Sequence, residues 1–166
     1  MADHAMATCL WFASGAEEAV KFYCDLFPGS AVTRTDRAPG DYPGGKAGDV
    51  LTMNFTLLGQ PFMAMNGRPE GDFSDAVSFQ VFTETQAETD RLWDALVADG
   101  GAEMACSWCR DRFGIRWQIV PRVLMDALGH EDAGVRGRVF GAMMGMVKID
   151  HAGIEAAING AAQSKA

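Results

Sequence analysis

Four cysteines, three histidines and a glutamine in the middle of an apolar strand are the residues through which this chain could do chemistry. Cys106 and Cys109 form a Cys-x-x-Cys pair, while Cys9 and Cys24 stand singly. A zinc site needs a second Cys or His pair at suitable spacing, and the sequence has none. A thioredoxin-type site belongs where a strand passes into a helix. Here the pattern puts both thiols on one strand, where residues three apart face opposite sides. Reduced thiols packing as small hydrophobes are therefore the expected reading. His4 precedes the first predicted strand, and His130 and His151 follow the last, so the imidazoles offer no convergent donor set. Asp111 and Arg112 fall at the corner of a hairpin and read as turn and surface residues. Glu17 and Glu18 read as the cap and solvated face of a helix. Gln118 remains, between Trp117 and Ile119 but on the opposite face of their strand, pointing either into a cavity or out to water.

The hairpin that carries Gln118 is written in Ser107 to Pro121, SWCRDRFGIRWQIVP. Beyond an Asp-Arg-Phe-Gly corner, Ile115, Trp117 and Ile119 alternate with Arg116, Gln118 and Val120, which is the period of a two-faced strand. Gly114 supplies the positive φ at the corner. Upstream, the sequence of a strand, a helix and further strands occurs twice. The first half reads as strand 7–12, a helix opened by the capping box Ser14-x-x-Glu17 and stopped at Pro28-Gly29, strand 31–36, and a hairpin of 49–58 and 61–66. Between its second and third strands lies a loop, 38–48, with four glycines and two prolines. It is either a lid over a site or a mobile surface segment. The second half reads as strand 76–82, an amphipathic helix 85–99 with Thr89, Leu92, Trp93, Leu96 and Val97 on or near one face, and strands 102–109 and 115–121. Residues 123–128, 134–146 and 149–159 then carry helical spacing, with Asp150 capping the last. Met143, Met144 and Met146 read as helix-packing surface, with a methionine-based metal site as the alternative.

At 166 residues the chain suits one well-buried domain or two small modules sharing a core. Hydrophobic and charged contents of 48% and 22% are those of a folded, soluble protein. A formal charge of −8 argues against nucleic acid and anionic membrane, since both need a basic footprint. No apolar run reaches the ~18 residues of a membrane span. The N-terminal stretch lacks a basic region leading into an apolar one, so no secretory leader is read and cytoplasm is the expected compartment.

Four stretches carry a family resemblance: CLWFASGAEEAVKFYCDLFPGS (9–30), GQPFMAMNGRP (59–69), AVSFQVFTETQAETDRLWDAL (76–96) and CSWCRDRFGIRWQIVP (106–121). With the repeated order they resemble the PhnB-like branch of the vicinal oxygen chelate superfamily, the glyoxalase and bleomycin-resistance fold. That branch often bears the name 3-demethylubiquinone-9 3-methyltransferase. The resemblance runs on through RVFGAMMGMVKIDHAGIEAAI (138–158). It implies an α+β fold of two βαβββ modules, residues 7–66 and 76–121, with a C-terminal helical extension at 122–166, all read as a single domain. It also implies a homodimer. The methyltransferase name finds no support in the residues. A doubly wound S-adenosylmethionine site needs a glycine-rich strand-to-helix turn, and the glycine-dense 38–48 segment joins two strands.

In superfamily members that use a divalent ion, each module supplies two inward-facing ligands, usually His and Glu, from its first and last strands. The resemblance places Thr8, Ser78 and Gln118 at three of these positions, and Ala64 or Asn66 at the fourth. Neutral hydroxyls and amides are poor ligands for zinc, nickel or iron, so no metal and no cofactor are expected. What is expected is a small-molecule pocket lined by Thr8, Leu10, Trp11, Asn66, Ser78 and Gln118, with Phe79 or Trp117 nearby. A filled core in which these groups satisfy one another is the competing reading. The alternative function is an enzyme: a lyase, isomerase or dioxygenase type, or the methyltransferase of the family's name.

Overall fold

The computed structural model describes residues 5–160, and the chain divides between Asp72 and Phe73 into two compact units. The first unit contains β1 (Thr8–Phe12), α1 (Ala16–Leu26), β2 (Ala31–Arg37), β3 (Val50–Leu57) and β4 (Gln60–Asn66). Its sheet has the order β1-β4-β3-β2, with β1 parallel to β4 and the other pairs antiparallel. Leu10, Phe12, Phe55, Phe62 and Ala64 are buried on the side that receives Ala16, Ala19, Val20 and Tyr23 of α1. These helix residues recur at the spacing that builds one apolar stripe. Leu58 (φ 49°) and Gly59 (φ 80°) form the two-residue turn between β3 and β4, both left-handed as such a hairpin requires.

The start of α1 differs from the expected capping box. The chain enters the helix through Gly15 in the left-handed region (φ 81°), and no side chain of the helix's own first turn caps it. Ser14 is displaced from the cap, and a first-turn donor is satisfied instead from the end of β4. Asn66 Oδ1 accepts from Ala16 N at 3.0 Å, while Asn66 Nδ2 donates to Val50 O at 2.9 Å. The 38–48 loop is internally tied: Tyr42 and Gly45 exchange backbone bonds, and the Asp41 carboxylate takes Lys46 Nζ at 2.9 Å and Ala47 N at 3.1 Å. The Lys46 bond, then the Ala47 amide, hold the Asp41 carboxyl below the usual carboxylate range.

The second unit repeats the topology. It holds β5 (Phe79–Thr83), α2 (Gln86–Val97), β6 (Ala102–Glu103), β7 (Trp108–Arg110) and β8 (Arg116–Pro121), in the sheet order β5-β8-β7-β6. Again the outer pair, β5 and β8, is parallel. Thr85 caps α2 by accepting from Glu88 N at 3.2 Å, and Thr89, Leu92, Trp93 and Leu96 form its buried face. The expected strand 102–109 is broken. Cys106 (φ 57°) and Ser107 (φ 71°) are left-handed, and their N–H groups donate to Met146 O and Val147 O, both at 2.9 Å. The Cys-x-x-Cys pair therefore does not share one strand: Cys106 lies in the break and only Cys109 in β7.

Three helices follow, α3 (Arg122–Leu128), α4 (Ala133–Met144) and α5 (His151–Ile158). Leu124, Ala127, Val135, Val139, Ala142, Ile149, Ile154 and Ala157 pack into a core of their own that reaches the sheet at Val120. Asp132 and Asp150 cap α4 and α5, and Arg138 donates to the last carbonyls of α5, Ala157 O and Ile158 O. Met143 and Met146 pack partly buried against this core. Among the described residues no helix is long and apolar enough to cross a membrane.

Candidate functional site

The hairpin between β7 and β8 is organised by a buried carboxylate. Asp111 is fully buried and is not the surface turn residue its sequence context suggested. Its Oδ1 accepts from Phe113 N and Ile115 N, each at 2.9 Å, and its Oδ2 accepts from Trp117 Nε1 at 2.8 Å. Charge-assisted bonds of this kind fix the corner and seat the Trp117 indole on the helix side of the sheet. Strand alternation then sends Arg116 and Gln118 to the other side.

On that other side the register assembles a polar row. Gln118 lies opposite Gln80 on β5 and opposite Trp108 on β7. Gln118 Nε2 donates to Ser78 Oγ at 2.7 Å, and Gln80 Nε2 donates to Gln118 Oε1 at 3.0 Å. Phe82 shares this face and is 39% exposed, with the Arg122 guanidinium over its ring. The C-terminal helices cover the Val120 end. Arg110 and Arg116 face one another at the opposite end. The structure therefore brings together Ser78 and Gln118 and adds Gln80, Trp108 and Arg110, which were not singled out from the sequence. Their signal was the same period-2 alternation, carried one strand further on each side.

The first unit distributes its candidates differently. Leu10 is buried on the α1 side, whereas neighbouring Trp11 points the other way and is 43% exposed. Thr8 is exposed at the start of β1, paired with Phe62. Gly67 lies so close beneath the Trp11 indole that a Cβ there would collide with Nε1, which fixes the ring's position. Asn66, both ends of its amide spent, borders a hollow of about 290 Å³ that also meets Glu17, Arg37, Tyr42 and Asp49. The 38–48 loop contributes Tyr42 and Gly44 to that lining.

The histidines lie elsewhere. His4 falls outside the described residues. His130 is exposed, and its Nδ1 accepts from Asp132 N. His151 is half-buried and bonded to the Thr89 hydroxyl at 2.9 Å. All four cysteines are free thiols. Burial, then the charges of Asp111 and Glu103, push the Cys109 thiol up to about 12. Among the described residues no three His, Cys, Asp or Glu side chains gather as a metal set. The residues at the ligand positions the resemblance implied do not fit a divalent ion either. Ala64 offers no donor, and Asn66, Ser78 and Gln118 offer only neutral amide and hydroxyl groups, each already engaged in hydrogen bonds.

Two four-stranded mixed sheets, each with one parallel outer pair and one covering helix, define the glyoxalase-like fold of the vicinal oxygen chelate superfamily. The family model described as 3-demethylubiquinone-9 3-methyltransferase matches residues 4–120, and the chain belongs to that PhnB-like family. The PhnB protein of Bacillus cereus, which carries the same methyltransferase name, is 33% identical at a TM-score of 0.64, over 71% of this chain and 99% of its own. Protein PA1353 of Pseudomonas aeruginosa shares the fold at 18% identity and a TM-score of 0.59, over 72% of this chain and 98% of its own. So does the fosfomycin resistance protein FosX of Mesorhizobium loti, at 9% identity and a TM-score of 0.52, over 78% of this chain and all of its own. No curated protein matches the chain.

Proposed function

We propose that this chain binds a small organic molecule on the open face of its second sheet, with Gln118, Ser78 and Gln80 orienting it. The row these three side chains form carries the reading. A satisfied core would enclose them, whereas Gln80 is exposed and Gln118 and Ser78 are only half-buried. Each amide also keeps a spare N–H and a spare lone pair after its mutual bonds, which a ligand can take. Trp108 and Phe82 add apolar surface beside the polar row, the mixture usual in small-molecule sites. On the first sheet, Trp11 lies on the equivalent face beside Met63 and Met65, and we extend the reading to it; Thr8 at the start of β1, and Leu10 and Asn66 on the α1 side, would act only by holding the strands that present it.

Binding is favoured over catalysis because Ser78 Oγ meets an amide and no base, so nothing activates it as a nucleophile. Methyl transfer is not proposed, since neither sheet is the parallel, doubly wound kind that cradles S-adenosylmethionine. A ligand screen by thermal shift tests the reading, because a molecule that selects the native state raises Tm. Gln118→Ala is expected to weaken a ligand so found by about 3- to 10-fold, the worth of one neutral hydrogen bond. An unchanged affinity removes Gln118 from the site.

The chain is further proposed to work as a homodimer in the cytoplasm. Phe140 and Met144, one turn apart on α4, are 54% and 56% exposed and offer apolar surface for association. Four free thiols suit a reducing compartment. The mass of the protein in solution at micromolar concentration decides the first point: a dimer is expected, and Phe140→Glu should convert it to a folded monomer. Cell fractionation decides the second.

A further inference from the structure

Resting on the binding reading above, we propose that the ligand of the second sheet carries an anionic group, a carboxylate or a phosphate ester, and that Arg110 holds it. The register of β7 and β8 sets Arg110 directly opposite Arg116 on the open face. Side chains so paired stand about 5 Å apart at Cβ, and like charges there repel unless something neutralises them. Arg116 is neutralised: its Nε donates to Asp75 Oδ1 at 2.6 Å, and its Nη1 donates to Gly114 O. Arg110 is not. It is half-buried, and its side chain figures in none of the hydrogen bonds or ion pairs among the described residues. Its other cross-strand neighbour is Ala102 of β6, too short to cover it.

In a chain of formal charge −8, a partly desolvated cation with no acid of its own, beside an arginine whose acid is already taken, is an arrangement an incoming anion completes. The guanidinium fork matches the paired oxygens of a carboxylate or phosphate. The same face fixes the rest of the ligand. Trp108 and Gln118 form the adjacent cross-strand pair, two residues along each strand from Arg110 and Arg116. That step is about 7 Å at ~3.4 Å per residue. The class of ligand is thus a compact anion with an apolar or aromatic body over Trp108 and a neutral polar group about 7 Å from the charge, at Gln118.

The test is a backbone-amide NMR titration of the full chain with benzoate, phenyl phosphate and benzamide, for wild type and Arg110→Gln. Both anions are expected to move the amides of residues 108–110 and 116–118. Their affinity should fall about tenfold in Arg110→Gln, and with added salt, while benzamide binds both proteins alike and more weakly. Whichever anion binds tighter names the group. Because the Arg110 side chain makes no bond among the described residues, the Tm of the variant should stay equal or rise; a fall in Tm together with loss of all three probes would show a structural residue and overturn the assignment. Benzamide matching the anions, with Arg110→Gln changing nothing, overturns the anionic class and leaves the binding face standing. No probe moving these amides at millimolar concentration overturns both.

Discussion

Cys109 pairs with Trp117 across β7 and β8, fully buried, and its thiol sits at about 12 against an ordinary 9.0. Thiolate is the reactive species, so at pH 8 this residue should present roughly a thousandfold less of it than an unperturbed cysteine. Iodoacetamide mapped by mass spectrometry is expected to label exposed Cys9 and to leave Cys109 unmodified until the protein unfolds. Labelling of Cys109 in native protein would contradict the packing. Asp111 sits two residues further on and carries more of the stability. Removing its carboxylate in Asp111→Ala strands two backbone N–H groups and an indole N–H, and should cost about 2–4 kcal/mol by urea denaturation. The sequence did not give away its burial, because Asp-Arg-Phe-Gly has the composition of an exposed corner. What buries it is the indole six residues later, a contact visible only once the hairpin closes. Gln118 was legible for the opposite reason: alternation alone assigns its face.

Among the elements, the order of strands and helices was readable everywhere but at 102–109, where one expected strand is two, because each element otherwise carries its own period and its own stop. The three C-terminal helices and the Asp150 cap follow their spacing as expected. The failures are those in which a distant partner overrides local chemistry. Ser14 had the pattern of a cap, yet Asn66 fills that role from the end of β4, fifty residues on. Asn66→Ala is expected to lower stability by about 1–2 kcal/mol, whereas Ser14→Ala should stay within about 0.5 kcal/mol. The break between β6 and β7 was hidden because left-handed Cys106 and Ser107 lack a glycine signal and are held by Met146 and Val147. A third tie lies nearby: Lys148 Nζ meets Asp90 at 2.9 Å and Asp94 at 3.2 Å, joining α2 to the turn before α5. Its bond to Lys148, then to Gln86, holds the Asp90 carboxyl below the ordinary value of 3.8. A depressed carboxyl stabilises the fold above its unfolded-state pKa and loses that contribution as pH falls through the folded value. Asp90→Asn should therefore be slightly less stable than wild type at pH 7, by about 0.2–1 kcal/mol for so exposed a pair, and equal to it once the pH lies below that value.

At the scale of the molecule, the family match ends at residue 120, while the chain continues through three more helices. This extension is built into the second unit. Val120 belongs to its core, and Met146 O and Val147 O satisfy the N–H groups of the strand break. His151 closes a chain of hydroxyls that runs through Thr89 to buried Thr83. Gln86 accepts from His151 N at 2.8 Å and donates to Ile149 O at 3.4 Å. A chain ending after Pro121 would expose Val120 and leave two backbone donors and a hydroxyl pair without these partners, each a cost of about 1–3 kcal/mol where water cannot enter. Such losses approach the few kcal/mol by which domains are stable at all. The truncated protein is accordingly expected to show a lower Tm by calorimetry and to lose cooperative unfolding of the second unit. Because Val120 shares the open face with Gln118, it should also bind poorly any ligand found for the full chain. A truncated chain melting at the wild-type temperature would mean that the sheet stands without its helices. The extension would then be a passenger on the face it now closes at one end.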